Sequence, residues 1–252
     1  MQPGSSPTTL GDPRSPGIVF VHGTRMAGAY WHAQCAALSD SYHVVAPDLP
    51  GHGAQRAVRF SHVGALETIR ASIGTCAGGT AVVVGHSLGG YLAIDLAARS
   101  PELVRALVLT GCSAVTRGPG TWPYRAIVKI LPFVSDDRLT RLNDRLLRRL
   151  YPPEFVEPQI AAGYGFAAIA PAWRSVLGRN HALSLREYAG PVLLVNGKRD
   201  IPFRSNERYF LRSCVQGRLR IIAGAGHLCN LDRPTEFTNE LRAFVSSLPP
   251  TR

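Results

Sequence analysis

The sequence predicts an α/β protein: a mostly parallel sheet flanked by helices, with a helical insertion between two late strands. Three observations carry this expectation. Short runs rich in Val, Ile and Leu recur without polar alternation, as a sheet covered on both faces requires. Helix-length stretches separate these runs, the spacing of right-handed crossovers between parallel strands. One long segment, 113–188, breaks the pattern and offers helical stretches but no convincing strand.

Residues 1–16, MQPGSSPTTLGDPRSP, are rich in Pro, Gly and Ser and read as a mobile tail. GIVFVHG (17–23) is a buried strand running into a turn, and a helix is expected near 31–39. YHVVAPDLPGHG (42–53) supplies a second strand and its turn, followed by a helix near 62–75. TAVVVGHS (80–87) is the third strand and runs straight into a helix at 88–99. VRALVLTG (104–111), GPVLLVNG (190–197) and GRLRIIAGAGH (217–227) follow, with helices near 205–213 and 234–247. Residues 17–112 and 189–252 then form one core, and 113–188 reads as a helical lid. In such sheets chemistry sits at the carboxyl ends of the strands.

Composition bounds the function. A hydrophobic content of 45% is enough for a full core. The longest apolar runs, such as 81–84 and 192–195, fall far short of the about 20 residues that cross a bilayer. The N-terminal stretch has no apolar h-region, so the expected location is cytoplasmic. The net charge is +11, yet only two of the 28 basic residues, Lys129 and Lys198, are lysines. An Arg, Ala and Gly bias often reflects genome composition, and affinity for anionic surfaces is the alternative. No recognition motif accompanies the charge, which argues against a nucleic-acid partner. The five cysteines (35, 76, 112, 214, 229) form neither a CxxC pair nor a metal-ligand spacing and read as reduced thiols.

Gly85-His86-Ser87-Leu88-Gly89-Gly90 carries the chemistry. A serine on a sharp strand-to-helix turn has strained backbone angles, so its neighbours two residues away must be small. The helix that follows directs the positive end of its dipole at whatever the hydroxyl attacks. A serine hydroxyl needs a positioned base. His227, directly after the last strand, is the candidate, because its loop can fold back over the strand ends. His22 serves a turn, and His86 adjoins Ser87 in sequence. His32, His43, His52, His62 and His181 have no such setting. The base needs an acid to fix its tautomer, and Asp200 lies three residues past Gly197, where the 190–197 strand ends. Asp48 reads as the cap of its own loop and Asp232 as the cap of the last helix.

VHGTR, DLPGHG, GHSLGG, NGKRD and GAGH, with the order Ser87, Asp200, His227, resemble the serine-nucleophile branch of the α/β-hydrolase superfamily, and the resemblance covers almost the whole chain. It implies an α/β-hydrolase fold, a Ser87–His227–Asp200 triad, and an oxyanion hole from the backbone N–H groups of Thr24 and Leu88. Arg25 takes the place of Thr24 if the turn is offset by one. No metal or organic cofactor is implied. The family usually opens with an antiparallel strand or hairpin, of which TTL is at best a remnant here, so the sheet is expected to be shortened at that edge.

DRLTRLNDRLLRRLY puts Leu139, Leu142, Leu146 and Leu150 on one face, with Arg138, Arg141, Arg145, Arg148 and Arg149 around it. The expectation is a lid helix packing its leucines on the core. The alternative is contact with an anionic surface or an acidic carrier protein. Trp122, Tyr124, Phe133, Tyr164, Phe166 and Trp173 either form the lid's small core or line an apolar pocket. Of these, Trp122 and Tyr164, with His86 and Arg25, are the pocket candidates. Arg25 is also placed to meet a substrate carboxylate. The leading function is hydrolysis of a small-molecule ester, lactone or thioester with an apolar or aryl group. Carbon–carbon hydrolysis, perhydrolysis or lyase chemistry on the same fold, and ligand sensing with a slow residual site, are the alternatives. Oligomeric state is open.

Overall fold

The computed structural model describes residues 8–130 and 135–249, the side chains of 123, 124 and 127 excepted. A seven-stranded sheet runs in the order β1-β3-β2-β4-β5-β6-β7. The strands are β1 (Thr8–Leu10), β2 (Gly17–Val21), β3 (His43–Ala46), β4 (Ala81–His86), β5 (Val104–Thr110), β6 (Pro191–Gly197) and β7 (Gln216–Ile222). All neighbours pair in parallel except β1, which runs antiparallel to β3. The six expected strands are therefore joined by a seventh at the short edge. Thr8–Leu10 fall within residues 1–16, whose composition reads as a mobile tail. They form a strand because the Thr-Thr-Leu triplet lies in register with Val44, Val45 and Ala46.

Twelve α-helices flank or cap the described part of this sheet. They are α1 (His32–Leu38), α2 (His62–Gly74), α3 (Leu88–Arg99), α4 (Trp122–Ile130), α5 (Asp136–Leu150), α6 (Pro153–Ala162), α7 (Phe166–Val176), α8 (His181–Ser184), α9 (Ile201–Arg204), α10 (Glu207–Ser213), α11 (Cys229–Asp232) and α12 (Pro234–Ser246). Strand residues alternate between two cores. Val19 and Val21 of β2 face Ile69, Leu92 and Leu96 of α2 and α3. Ile18 and Phe20 face Trp31, Leu38, Phe237 and Leu241. All five residues of β2 are buried, as a strand covered on both faces must be. The two edge strands are the exceptions: Thr9 and Leu10 of β1 and Arg218 and Arg220 of β7 are exposed.

Sheet order places the site. From β2 the chain steps one way to β3, then returns to place β4 on the other side of β2. The loops leaving β2 and β4 therefore diverge at a topological switch point and leave a crevice between them. Segment 113–188 contributes α4 to α8 and lies partly within both cores. Leu147 and Val156 join one cluster, and Ala168, Ala172 and Val176 join the other. No described helix is long and apolar enough to cross a membrane.

The structure corrects the expected face of α5. Leu142, Leu146 and Leu150 are exposed, while Asn143 and Leu147 are buried. The buried face contains an asparagine because that side chain has a distant polar partner, Arg25. A count of apolar residues therefore selects the wrong stripe.

Candidate active site

β4 ends at His86, and α3 begins at Leu88. Only Ser87 lies between them, at φ 52° and ψ −117°, where a side chain other than glycine's is strained. A Cβ built on Gly85 would stand 2.6 Å from the Gly89 carbonyl oxygen, and one on Gly89 would meet the Val21 carbonyl. The two small residues around the serine therefore allow α3 to pack directly onto β2 and β4. Ser87 N–H donates to the Thr110 carbonyl at 2.9 Å, which ties the turn to β5. Leu88 opens the helix, where the first N–H groups have no acceptor within the helix itself.

His227 and Asp200 arrive from the opposite side. The turn after β6 is knitted to the loop after β7: Lys198 N–H donates to the Ile222 carbonyl, and Arg199 N–H to that of Ala225. This brings the buried Asp200 Oδ2 to 2.9 Å from His227 Nδ1. The backbone of Gly111 packs against both residues, since a Cβ there would lie 2.9 Å from His227 Cε1 and 3.4 Å from Asp200 Oδ2. His86 Nε2 donates to the His227 carbonyl at 3.0 Å. The His227 ring stacks on Phe203 at 4.2 Å between centroids. Asp232 corrects its expected role. It does not cap α12, whose N-terminus has no side-chain cap. Its Oδ2 accepts from Gly226 N–H at 2.5 Å, and its Oδ1 from the Tyr151 hydroxyl at 2.9 Å, so it braces the turn that presents His227.

Ser87, His227, Thr24, Arg25 and His86 share one cavity of about 290 Å³, which also takes in Gly23, Met26, Trp173, Phe203 and Leu228. Two of the pocket candidates are misplaced by the sequence reading. Trp122 is 70% exposed, because a helix end at the rim of the insertion leaves it in solvent. Tyr164 stacks on Phe166, its hydroxyl donates to Asp144, and it is not among the residues that line the cavity. Trp173 and Phe203 line the cavity instead. Phe203 follows Asp200 by three residues and sits on a single helical turn, α9, too short for periodicity to reveal. The Tyr124 and Phe133 side chains lie outside the described residues.

The turn after β2 has several braces. His22 Nδ1 donates to the Gly23 carbonyl at 2.8 Å, and its Nε2 accepts from Leu49 N–H at 3.0 Å. Asp48 accepts from Ala54 N–H within its own loop, as expected, and also from Gly28 N–H at 2.7 Å. The insertion grips the same turn. Gly165 N–H donates to the Arg25 carbonyl at 3.0 Å, Gln159 Oε1 accepts from Ala27 N–H at 2.8 Å, and Arg25 Nη1 donates to Asn143 Oδ1 at 2.6 Å. Arg25 is held at φ 65°, the second non-glycine residue with a positive φ.

Three buried imidazoles are kept neutral here. Burial pushes His22 down to about 4. Burial, then the neighbouring His22, push His52 down to about 3. Burial, then His227, hold His86 well below the usual histidine range. All three fold with depressed values, so the unfolded chain binds protons that the native protein refuses once the pH falls below about 6.5. Unfolding free energy is expected to fall from that point toward the folded-state values, by up to about 1.4 kcal/mol per pH unit for each histidine. Urea unfolding at about pH 7.5 and about pH 5 checks this, and equal midpoints would contradict it.

A mostly parallel sheet with a strained serine at the switch point, and a carboxylate-bound histidine lining the same cavity, is the arrangement of a hydrolase. The chain belongs to the alpha/beta hydrolase family, whose profile it matches over residues 18–241. It is 26% identical over 255 residues to a putative carbamate hydrolase, RutD, of Cronobacter turicensis, covering 94% of each chain. It is 25% identical over 246 residues to a pimeloyl-[acyl-carrier protein] methyl ester esterase of Nitrosomonas europaea, covering 89% of this chain and 93% of the relative. Among solved structures, a hydrolase from Pseudomonas aeruginosa superposes with a TM-score of 0.78 at 22% identity, over 96% and 94% of the two chains. That likeness is one of fold.

Proposed function

We propose that the chain is a serine hydrolase that cleaves the ester, lactone or thioester bond of a small molecule through an acyl-enzyme. The observation that carries this reading is the 2.9 Å contact of His227 Nδ1 with the buried Asp200, beside the cavity that His227 shares with Ser87. Asp200 accepts from Nδ1–H, which leaves the Nε2 lone pair free to take the Ser87 hydroxyl proton as Oγ attacks the carbonyl carbon. The oxyanion is received by the amides of Leu88 and Thr24, each such donor being worth about 3 kcal/mol of barrier. His227 then gives the proton to the departing alcohol or thiol. Water adds to the acyl group by the same route in reverse, releases the acid and restores Ser87.

Segment 113–188 acts as the lid that roofs this cavity, with Trp173 as its contribution to the wall. The exposed Leu142, Leu146 and Leu150 beside the basic side chains of α5 support the further reading that this face meets an anionic surface or carrier protein. The test of the central proposal is covalent labelling by a fluorophosphonate probe, with Ser87→Ala alongside. Labelling confined to the wild-type protein is the expected result. A folded wild-type protein that resists the probe would remove the nucleophile and with it the proposal.

A further inference from the structure

We infer that the substrate carries a carboxylate, received by Arg25, while its scissile bond lies at Ser87. This rests on the hydrolase reading and narrows its substrate class to short half-esters of dicarboxylic acids, or the equivalent lactones and thioesters.

The guanidinium is withdrawn from water by burial, which pushes its pKa down. Among the described residues it has no carboxylate partner. The acids around it have other partners: Asp48 accepts from Gly28 and Ala54, Asp144 from Tyr164, and Asp232 from Tyr151 and Gly226. Its hydrogen-bond partner is a neutral amide, Asn143 Oδ1. An amide orients a guanidinium without cancelling its charge. A half-buried cation with no counter-charge is placed to receive an anion, and a planar fork matches a carboxylate with two parallel hydrogen bonds.

The backbone adds a second argument. Position 25 sits at φ 65°, where glycine or asparagine would be accommodated more easily. The chain nevertheless holds a long charged side chain there, at the wall of the Ser87 cavity. Met26, Trp173, Phe203 and Leu228 in the same wall are apolar, so the arginine is the cavity's fixed positive charge. At about 290 Å³ the space suits a short acyl chain. The net charge of +11 draws anions toward the molecule as a whole. The substrate's carboxylate is a handle that fixes the pose and takes no part in bond making.

Monomethyl glutarate and methyl pentanoate are matched in length and differ in the terminal carboxylate. The wild-type protein is expected to favour the anionic ester by about tenfold or more in kcat/KM, chiefly through KM. The preference should shrink as salt rises. Arg25→Asn, which suits the left-handed backbone, is expected to bring the ratio of the two esters close to one, and Arg25→Lys to keep part of it. A wild-type ratio of one or below, or a ratio unchanged in Arg25→Asn, overturns the inference. Should Arg25→Asn fail to fold, the wild-type ratio and its salt dependence decide. Calorimetric binding of monomethyl glutarate to Ser87→Ala, with and without Arg25→Asn, separates the two readings. Arg25-dependent binding in a protein whose serine resists the fluorophosphonate keeps the anion site and removes the serine mechanism. A labelled serine with no Arg25-dependent preference does the reverse.

Discussion

Replacing His227 with alanine is expected to lower kcat on the order of 10⁶-fold, with KM changed far less. In the proposed mechanism the imidazole acts on a proton that moves only as the transition state forms, so its removal affects the chemical step and spares ground-state binding. What remains is the anion-receiving turn and the cavity, which orient the substrate without activating Ser87. The side chain is 32% exposed, and it gives up ring stacking on Phe203 and His86 and the hydrogen bond to the buried Asp200, so the variant is expected to fold with a loss of stability on the order of a few kcal/mol. Steady-state kinetics on a short ester, with circular dichroism as the folding check, measures the effect. A loss smaller than about tenfold would remove His227 from the role of base.

Asp200→Asn is expected to lower kcat by about 10⁴-fold while leaving the shape of the site intact. The carboxylate accepts from Nδ1–H at 2.9 Å and thereby keeps Nε2 unprotonated toward the serine. An amide of the same size offers its NH₂ as readily as its oxygen. With the NH₂ facing Nδ1, the ring must carry its proton on Nε2, where it blocks acceptance from Ser87. The amide also withdraws the negative charge that steadies the imidazolium as it forms. Asp200 is buried beside Gly111, so an isosteric change is the informative one. An Asp200→Asn protein with near wild-type kcat would mean that another group orients His227.

Much of the sheet and the core of the site could be read from residue order, because both depend on local signals. Continuous apolar runs mark strands covered on both faces, and Gly85 and Gly89 mark a close approach of backbones that no larger residue permits. His227 after the last strand and Asp200 after the one before it are legible as candidates because loops leaving neighbouring parallel strands share one sheet edge, and the structure brings the two side chains within 2.9 Å. The features that escaped depend on distant partners. Asp232 looks like a helix cap until Gly226 and Tyr151 are seen to claim its oxygens. The buried stripe of α5 runs through Asn143 because Arg25, 118 positions away, needs an acceptor. Trp122 and Tyr164 look like pocket aromatics because composition says nothing of which way an isolated ring faces. The edge strand Thr8–Leu10 is only three residues long, too short to show a period.

The grip of the insertion on the turn after β2 has a consequence for timing. Gly165 and Gln159 hold the backbone of Arg25 and Ala27, and Asn143 holds the Arg25 guanidinium, in the stretch that follows Thr24. Any excursion that lifts these residues to admit or discharge a molecule also releases the strained turn beside the nucleophile. Under the proposed lid role of 113–188, admission and chemistry alternate, and the molecule works with a duty cycle: idle while uncovered, competent while covered.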